Sequence, residues 1–228
     1  MQASKKSKRA YTAAFFDRDQ TLLYGDPAFR QRRRAQIEKW SGRPLAVPVD
    51  LFDRVLCGRR LLTVENEIAF RKQYFTELLR SQGVTKQLEK RAERLFSDFW
   101  LQGMIVYPET VSVLNWFRSH DYRMGVISDT FPSLQLTIEA AGLGAYFDCY
   151  ICSDQVGAMK PDPLIYRAAL DALNVKAEES LYVDDYDVEA DGARSLGFTA
   201  FHVCRDGSPS RAWDIFSLAE MVAFASSF

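Results

Sequence analysis

The sequence predicts an α/β fold, a doubly wound parallel sheet with a helical domain inserted after its first strand. Three observations carry that prediction. Short runs rich in β-branched and aromatic residues alternate with helical patterns, the signature of parallel strands joined by crossover helices. Many of the predicted helices carry a proline or an Asp/Thr start or a glycine stop. The interval between the first two strands is about 105 residues, where a crossover needs a dozen or more.

In chain order, the predicted strands are 11–16 (YTAAFF), 122–128 (YRMGVIS), 147–152 (FDCYIC), 180–183 (SLYV) and 198–203 (FTAFHV). The helices predicted between and after them are 108–119, opened by Pro108, 131–141, stopped by Gly142, 163–173, 188–196, stopped by Gly197, and 217–225. Five strands of four to seven residues suit a Rossmann-like sheet. Four further helices fall inside the long interval. Asp26-Pro27 starts one that ends near Ser41-Gly42, and Asp50 caps a short one, LFDRVL. Thr63 precedes a long one with Val64, Ile68, Phe75, Leu78 and Leu79 on one face. Thr85 precedes the last, with Leu88, Ala92, Leu95 and Phe99 on one face and Gly103 as its stop. The expected organisation is a disordered basic tail at 1–10, a core built from 11–23 and 105–228, and a helical cap at 24–104.

Composition narrows the function. The 228 residues are 47% hydrophobic with a net charge of -1, which argues against disorder and against a general nucleic-acid binder. The near-neutral sum hides a split. Residues 26–105 hold 16 basic and 10 acidic side chains, net +6, and the remainder is net -7. The N-terminal stretch has no apolar run long enough for a signal peptide, and nothing approaches the ~18 residues of a membrane span, so a cytoplasmic protein without a membrane partner is expected. Cys149 and Cys152 lie three apart on a predicted strand, pointing to opposite faces, and read as buried free thiols. The two histidines, His120 and His202, sit in structural-looking surroundings, and no G-x-S-x-G, G-x-G-x-x-G or Walker sequence occurs. The chemistry must therefore run on carboxylates, lysine, arginine and hydroxyls.

Ligands of doubly wound sheets bind beyond the carboxyl ends of the strands. Those ends read Asp17-Arg18-Asp19-Gln20-Thr21, Ser128-Asp129-Thr130, a loop leading to Lys160-Pro161, and Asp184-Asp185. Any one of them could be a turn or a helix cap. Together they place Asp17, Asp19, Asp184 and Asp185 at one rim, where two carboxylates ~4 Å apart repel by roughly 4 kcal/mol at an effective dielectric of 20. A hard divalent cation relieves that repulsion, and an all-oxygen donor set selects Mg²⁺. With Lys160 as a fixed cation and donors at Ser128, such a rim suits phosphoryl transfer to a carboxylate nucleophile.

These ordered motifs, D-R-D-Q-T, S-D-T, K-P-D-P and V-D-D followed by G-A, resemble the haloacid dehalogenase superfamily, in particular its Mg²⁺-dependent phosphatases. The long insert and K-P-D-P-L-I-Y resemble the subgroup of phosphoglycolate phosphatases and β-phosphoglucomutase, with a helical cap between the first two motifs. The resemblance implies that Asp17 is the nucleophile, forming an aspartyl-phosphate, and that Asp19 protonates the leaving oxygen and then activates water. It implies that Ser128, Asp129 and Lys160 form the phosphate-binding side. It further implies Mg²⁺ on Asp17, the backbone carbonyl of Asp19 and Asp185, with Asp184 or Glu189 supporting the metal from behind. Two departures stand out: Gln20 replaces a common glycine, and the fourth motif is a D-D variant with shortened spacing to Gly192-Ala193.

The expected partner is a small phosphate ester, and the oligomeric state is not legible. A dehalogenase or a phosphomutase on the same fold, or a catalytically silent binding module, are the alternatives. A dehalogenase has no leaving oxygen to protonate, and the retained Asp19 argues against it. A phosphonatase would need a Schiff-base lysine in the cap, where Lys39, Lys72, Lys86 and Lys90 lie on solvated-looking faces. A receiver domain would carry its acidic pair at the first strand. In the cap, Arg33 interrupts the apolar face of Phe29, Ile37 and Trp40, either snorkelling outward or reaching an anionic part of the substrate.

Overall fold

The computed structural model of the chain describes residues 10–205, 207 and 210–228, and the basic tail at 1–9 lies outside them. The first strand, β1 (Ala13–Phe16), is wholly buried. A short β2 (Leu23–Gly25) follows, then four helices, α1 (Pro27–Ser41), α2 (Leu51–Leu56), α3 (Val64–Ser81) and α4 (Leu88–Phe99). The chain returns through β3 (Met104–Val106) into α5 (Thr110–Ser119), β4 (Arg123–Ser128), α6 (Leu134–Ala140), β5 (Cys149–Cys152) and the single turn α7 (Ser153–Val156). The remainder is α8 (Pro163–Leu173), β6 (Ser180–Asp184), α9 (Asp187–Ser195), β7 (Thr199–Val203), β8 (Asp214–Ile215) and α10 (Leu218–Ala225).

The main sheet has the order β5-β4-β1-β6-β7-β8, and every adjacent pair is parallel. The chain builds outward from β1 to β4 and β5, then crosses back to add β6, β7 and β8 on the other side. The order therefore reverses around β1, which makes the carboxyl ends of β1, β4 and β6 the switch point where such folds hold ligands. Alternation along β1 feeds both layers. Ala14 and Phe16 join the core under α5, α6 and α10, whereas Ala13 and Phe15 join the core under α8 and α9.

A third apolar cluster belongs to the inserted helices, with Ile37, Leu51, Phe70, Leu79 and Leu95 at its centre. Local chemistry sets the helix ends. Asp26 accepts from the Ala28 N–H with Pro27 in the first turn, and Gly42 closes α1 in the left-handed region. Thr63 caps α3 through the Asn66 N–H, and Ser217 with Glu220 forms a full capping box on α10. At the return from the insert, Gly103 has φ +87°, and a Cβ there would lie 2.1 Å from the Phe29 ring. Only glycine fits that crossing.

The sheet and its helices match the predicted class, with differences of detail. The sequence reading missed the antiparallel ribbon that pairs Leu23 with Val106 and Gly25 with Met104. Three-residue strands show too little alternation to be read. It missed the two-residue β8 for the same reason. The helix expected from Phe131 starts at Leu134, because Phe131 precedes Pro132 and is steered away from helical backbone. The helix expected from Pro108 starts at Thr110, whose N–H closes a turn onto the Tyr107 carbonyl. On α3 the buried stripe begins at Glu67 and Phe70, while Val64 and Ile68 are only partly covered. Cys149 and Cys152 are free thiols on opposite faces of the sheet, as expected, but only Cys152 is buried and Cys149 is partly exposed. Among the described residues, no helix is long and apolar enough to cross a membrane.

Candidate active site

The switch point presents a cavity of about 290 Å³ lined by Asp17, Asp19, Ser128, Asp129, Lys160 and Asp185, with Glu189 at its edge. Asp17 is the first residue beyond β1, and its N–H donates to the Val183 carbonyl at 2.9 Å. The central strand thus delivers its carboxylate between β4 and β6. Ser128 and Asp184 are the last residues of those neighbours, both buried.

Lys160 organises the acids. Its Nζ lies 2.8 Å from Asp17 Oδ1, 2.8 Å from Asp184 Oδ2 and 2.7 Å from Glu189 Oε2. Its own N–H donates to Asp129 Oδ1 at 3.1 Å. Burial alone would strip the charge from Lys160, but Tyr182 and the ring of carboxylates raise it well above the ordinary lysine value. Asp184 also accepts from the Tyr182 hydroxyl and from the Tyr186 N–H at 3.0 Å. That leaves its carboxylate fixed from three sides.

One lysine does not balance this many acids. Ligand oxygens of Asp17, Asp184 and Asp185 lie within 4.8 Å of one another. Burial and the Asp184 charge push Asp17 up to about 6 despite Lys160, and burial with Asp17 and Asp184 pushes Asp185 up to about 7. Burial likewise raises Asp129. The rim is short of positive charge, and its donor set is entirely oxygen. Both features fit a hard divalent cation of the Mg²⁺ kind.

Asp19 lines the same cavity but is 51% exposed, its carboxylate held by Arg18 at 2.6 and 3.1 Å. The expected supports Asp184 and Glu189 both face Lys160. Arg33 is not brought to this rim and lines a separate cavity within the inserted helices.

Some neighbours escaped the sequence reading. Tyr182 sits two residues before Asp184 on one strand and therefore shares its face, a signal that was available. Arg18 was passed over between two more conspicuous acids. His202 lies closer to the rim than its surroundings suggested, with Nε2 3.2 Å from the Asp185 carbonyl and Nδ1 3.0 Å from Asp214. Ligand atoms of His202, Cys204 and Asp214 come within 4.8 Å of one another, a grouping invisible before β8 was known. They line a larger cavity of about 660 Å³ that shares Gln20 and Asp185 with the first.

Fold and rim together define an α/β enzyme whose polar machinery is a set of carboxylates around one lysine. Residues 11–197 match the haloacid dehalogenase-like hydrolases, and the chain belongs to that family. It is 29% identical over 202 residues to phosphatase MT3486 of Mycobacterium tuberculosis (strain CDC 1551 / Oshkosh), covering 86% of this chain and 88% of that protein. It is 32% identical over 184 residues to a glyceraldehyde 3-phosphate phosphatase of Pyrococcus abyssi (strain GE5 / Orsay), covering 75% and 71%. The crystal structure of a 2-haloacid dehalogenase from Pseudomonas syringae pv. Tomato DC3000 superposes with a TM-score of 0.70 at 22% identity, covering 95% and 99%, a likeness of fold.

Proposed function

We propose that this protein is a Mg²⁺-dependent phosphatase acting on a small phosphorylated metabolite in the cytoplasm. The observation that carries this reading is the Lys160 ammonium held between Asp17 and Asp184, which fixes a carboxylate at the end of the central strand with one oxygen directed by a cation. Phosphatases among the relatives support it.

Asp17 attacks phosphorus, the bond from phosphorus to the ester oxygen breaks, and Asp19 gives its proton to the departing alcohol. The aspartyl-phosphate then meets water, Asp19 takes a proton from it, and inorganic phosphate leaves with the Asp17 carboxylate restored. Ser128, Asp129 and Lys160 form the side that receives the phosphoryl oxygens. Asp17, Asp185 and the Asp19 carbonyl would hold Mg²⁺, with Asp184 and Glu189 behind them. When bound, the ion supplies positive charge to the phosphoryl oxygens. The helices of residues 24–104 act as a cap over the core of 11–23 and 105–228, keeping bulk water out during the first step.

Dehalogenation is the second reading, favoured by 30% identity over 129 residues to (S)-2-haloacid dehalogenase 4A of Burkholderia cepacia. It leaves Asp19 without a proton to deliver. Assay of aryl phosphate and 2-chloropropionate, with wild-type and Asp17→Asn protein, separates the two. Mg²⁺-dependent phosphate release that vanishes in Asp17→Asn is expected, and chloride release without phosphate release overturns the proposal.

A further inference from the structure

The inserted helices form a cavity of about 200 Å³ whose surface is divided between polar and apolar groups, the apolar ones including Ile37, Phe52, Phe75 and Leu78. Into this lining α1 contributes Arg33, and α3 contributes Arg71 and Tyr74. Among the described residues, no acid pairs with Arg33. Arg71 directs only its Nε to Glu67, at 3.2 Å, and its guanidinium carbon lies over the Phe131 ring, 4.9 Å from the centroid. Burial lowers Arg33 from the ordinary arginine value. The like charges of Arg71 and Arg30 lower it further, against the opposing influence of Tyr74.

Among the described residues, Glu67 engages Arg71 only through Nε and no acid pairs with Arg33, so two guanidinium groups share one acid around this space and carry an excess of positive charge. Arginine forks match the planar oxygens of a carboxylate or the oxygens of a phosphate. The volume lies below the ~300 Å³ at which drug-sized ligands begin to fit, so the occupant is small. Val47 lines the cavity and is 46% exposed, which opens it to solvent. We infer that this cavity binds a small organic anion, its carboxylate or phosphate held between Arg33 and Arg71 and its apolar body against Phe52 and Phe75. Arg71 also lines a neighbouring cleft of about 140 Å³ with Arg18 and Thr130, and Arg18 pairs with Asp19. That cleft therefore lies between this cavity and the rim of the Asp17 cavity, with Arg71 lining one side and Arg18 the other. The anion is either the far end of the substrate or a separate ligand.

Calorimetric titration of benzoate and butyrate into metal-free protein at low salt tests the site without turnover, so its result stands apart from the reaction assigned to Asp17. The metal-free rim is acidic and does not compete for these probes. Saturable binding is expected, weakened tenfold or more by Arg33→Gln and by Val47→Trp, which plugs the mouth from an exposed position. No saturable binding of either probe, or equal binding in Arg33→Gln, overturns the inference. Inhibition of aryl phosphate hydrolysis by benzoate then separates the two sources. A raised KM with unchanged kcat marks a site shared with substrate, and unaltered kinetics alongside retained binding mark a separate ligand.

Discussion

Glu67 and Ser133 meet across the boundary between the inserted helices and the sheet. The fully buried Glu67 carboxylate accepts from the Ser133 N–H at 2.8 Å and from its hydroxyl at 3.0 Å. It also accepts from Trp100 Nε1 at 3.3 Å and from Arg71. A buried acid with four donors is satisfied; removing it strands all four. Glu67→Leu is expected to cost about 3–5 kcal/mol in urea unfolding, as breaking a buried charge pair does. Glu67→Gln keeps the shape and loses the charge, and about 1–3 kcal/mol is expected. Equal, negligible losses in both variants would show that the two parts are held together elsewhere.

The pH dependence of the metal-free protein follows from the raised carboxyls. Asp17 moves from 3.8 to about 6 and Asp185 from 3.8 to about 7 on folding. Between pH 4 and 7 the folded state therefore holds more protons than the unfolded state. The stability these two groups contribute is fully present below pH 4 and is lost as pH rises through that window. The Asp17 contribution is about 3 kcal/mol. Thermal melts in chelator should show this slope in wild type and a shallower one in Asp17→Asn. Added Mg²⁺ should raise Tm more at pH 8 than at pH 5, since protons compete for the same oxygens.

Asp19 invites a leaving-group test. An alkyl alkoxide needs a proton as it departs, whereas a nitrophenolate hardly does. Asp19→Asn should cost about 10²–10⁴ in kcat on alkyl phosphates and much less on nitrophenyl phosphate. A loss of the same size on both substrates would remove Asp19 from the proton-transfer role.

Gly192 on α9 is pressed against the loop that carries the lysine. A Cβ at that position would lie 2.5 Å from Pro161 Cβ and 3.2 Å from the Tyr166 hydroxyl. Gly192→Ala must push on Pro161, the neighbour of Lys160, at a cost of about 1–3 kcal/mol for overpacking. Displacement of Lys160 should lower kcat as well as Tm. Wild-type kcat at unchanged Tm would mean that the loop yields freely.

Strand-end carboxylates were legible because each motif follows an apolar run long enough to be read, and parallel neighbours bring their carboxyl ends to one rim. Asp17, Ser128, Asp129, Lys160 and Asp185 were found that way and line one cavity. Pairings between distant segments were not legible. Glu67 was not singled out, because nothing local shows that Ser133 will lie opposite it. The same holds for Arg71, whose Phe131 partner comes from the loop after β4. Helical period reports which face is covered but not by what, and a satisfied acid on that face breaks the apolar pattern it belongs to.

Phe131 closes the account of how separable the two parts are. It leaves the loop after β4 and packs on Phe52 and Phe70, 6.1 and 5.9 Å between ring centroids, within the cluster of the inserted helices. A chimera that exchanged only residues 26–103 for the insert of another protein would leave this ring seated on a foreign surface. The smallest transplantable piece must carry residues 131–133 with it. The inserted helices are therefore tied to the segment that leaves β4 through Ser128 and Asp129, and exchanging the insert would draw changes toward the candidate site itself.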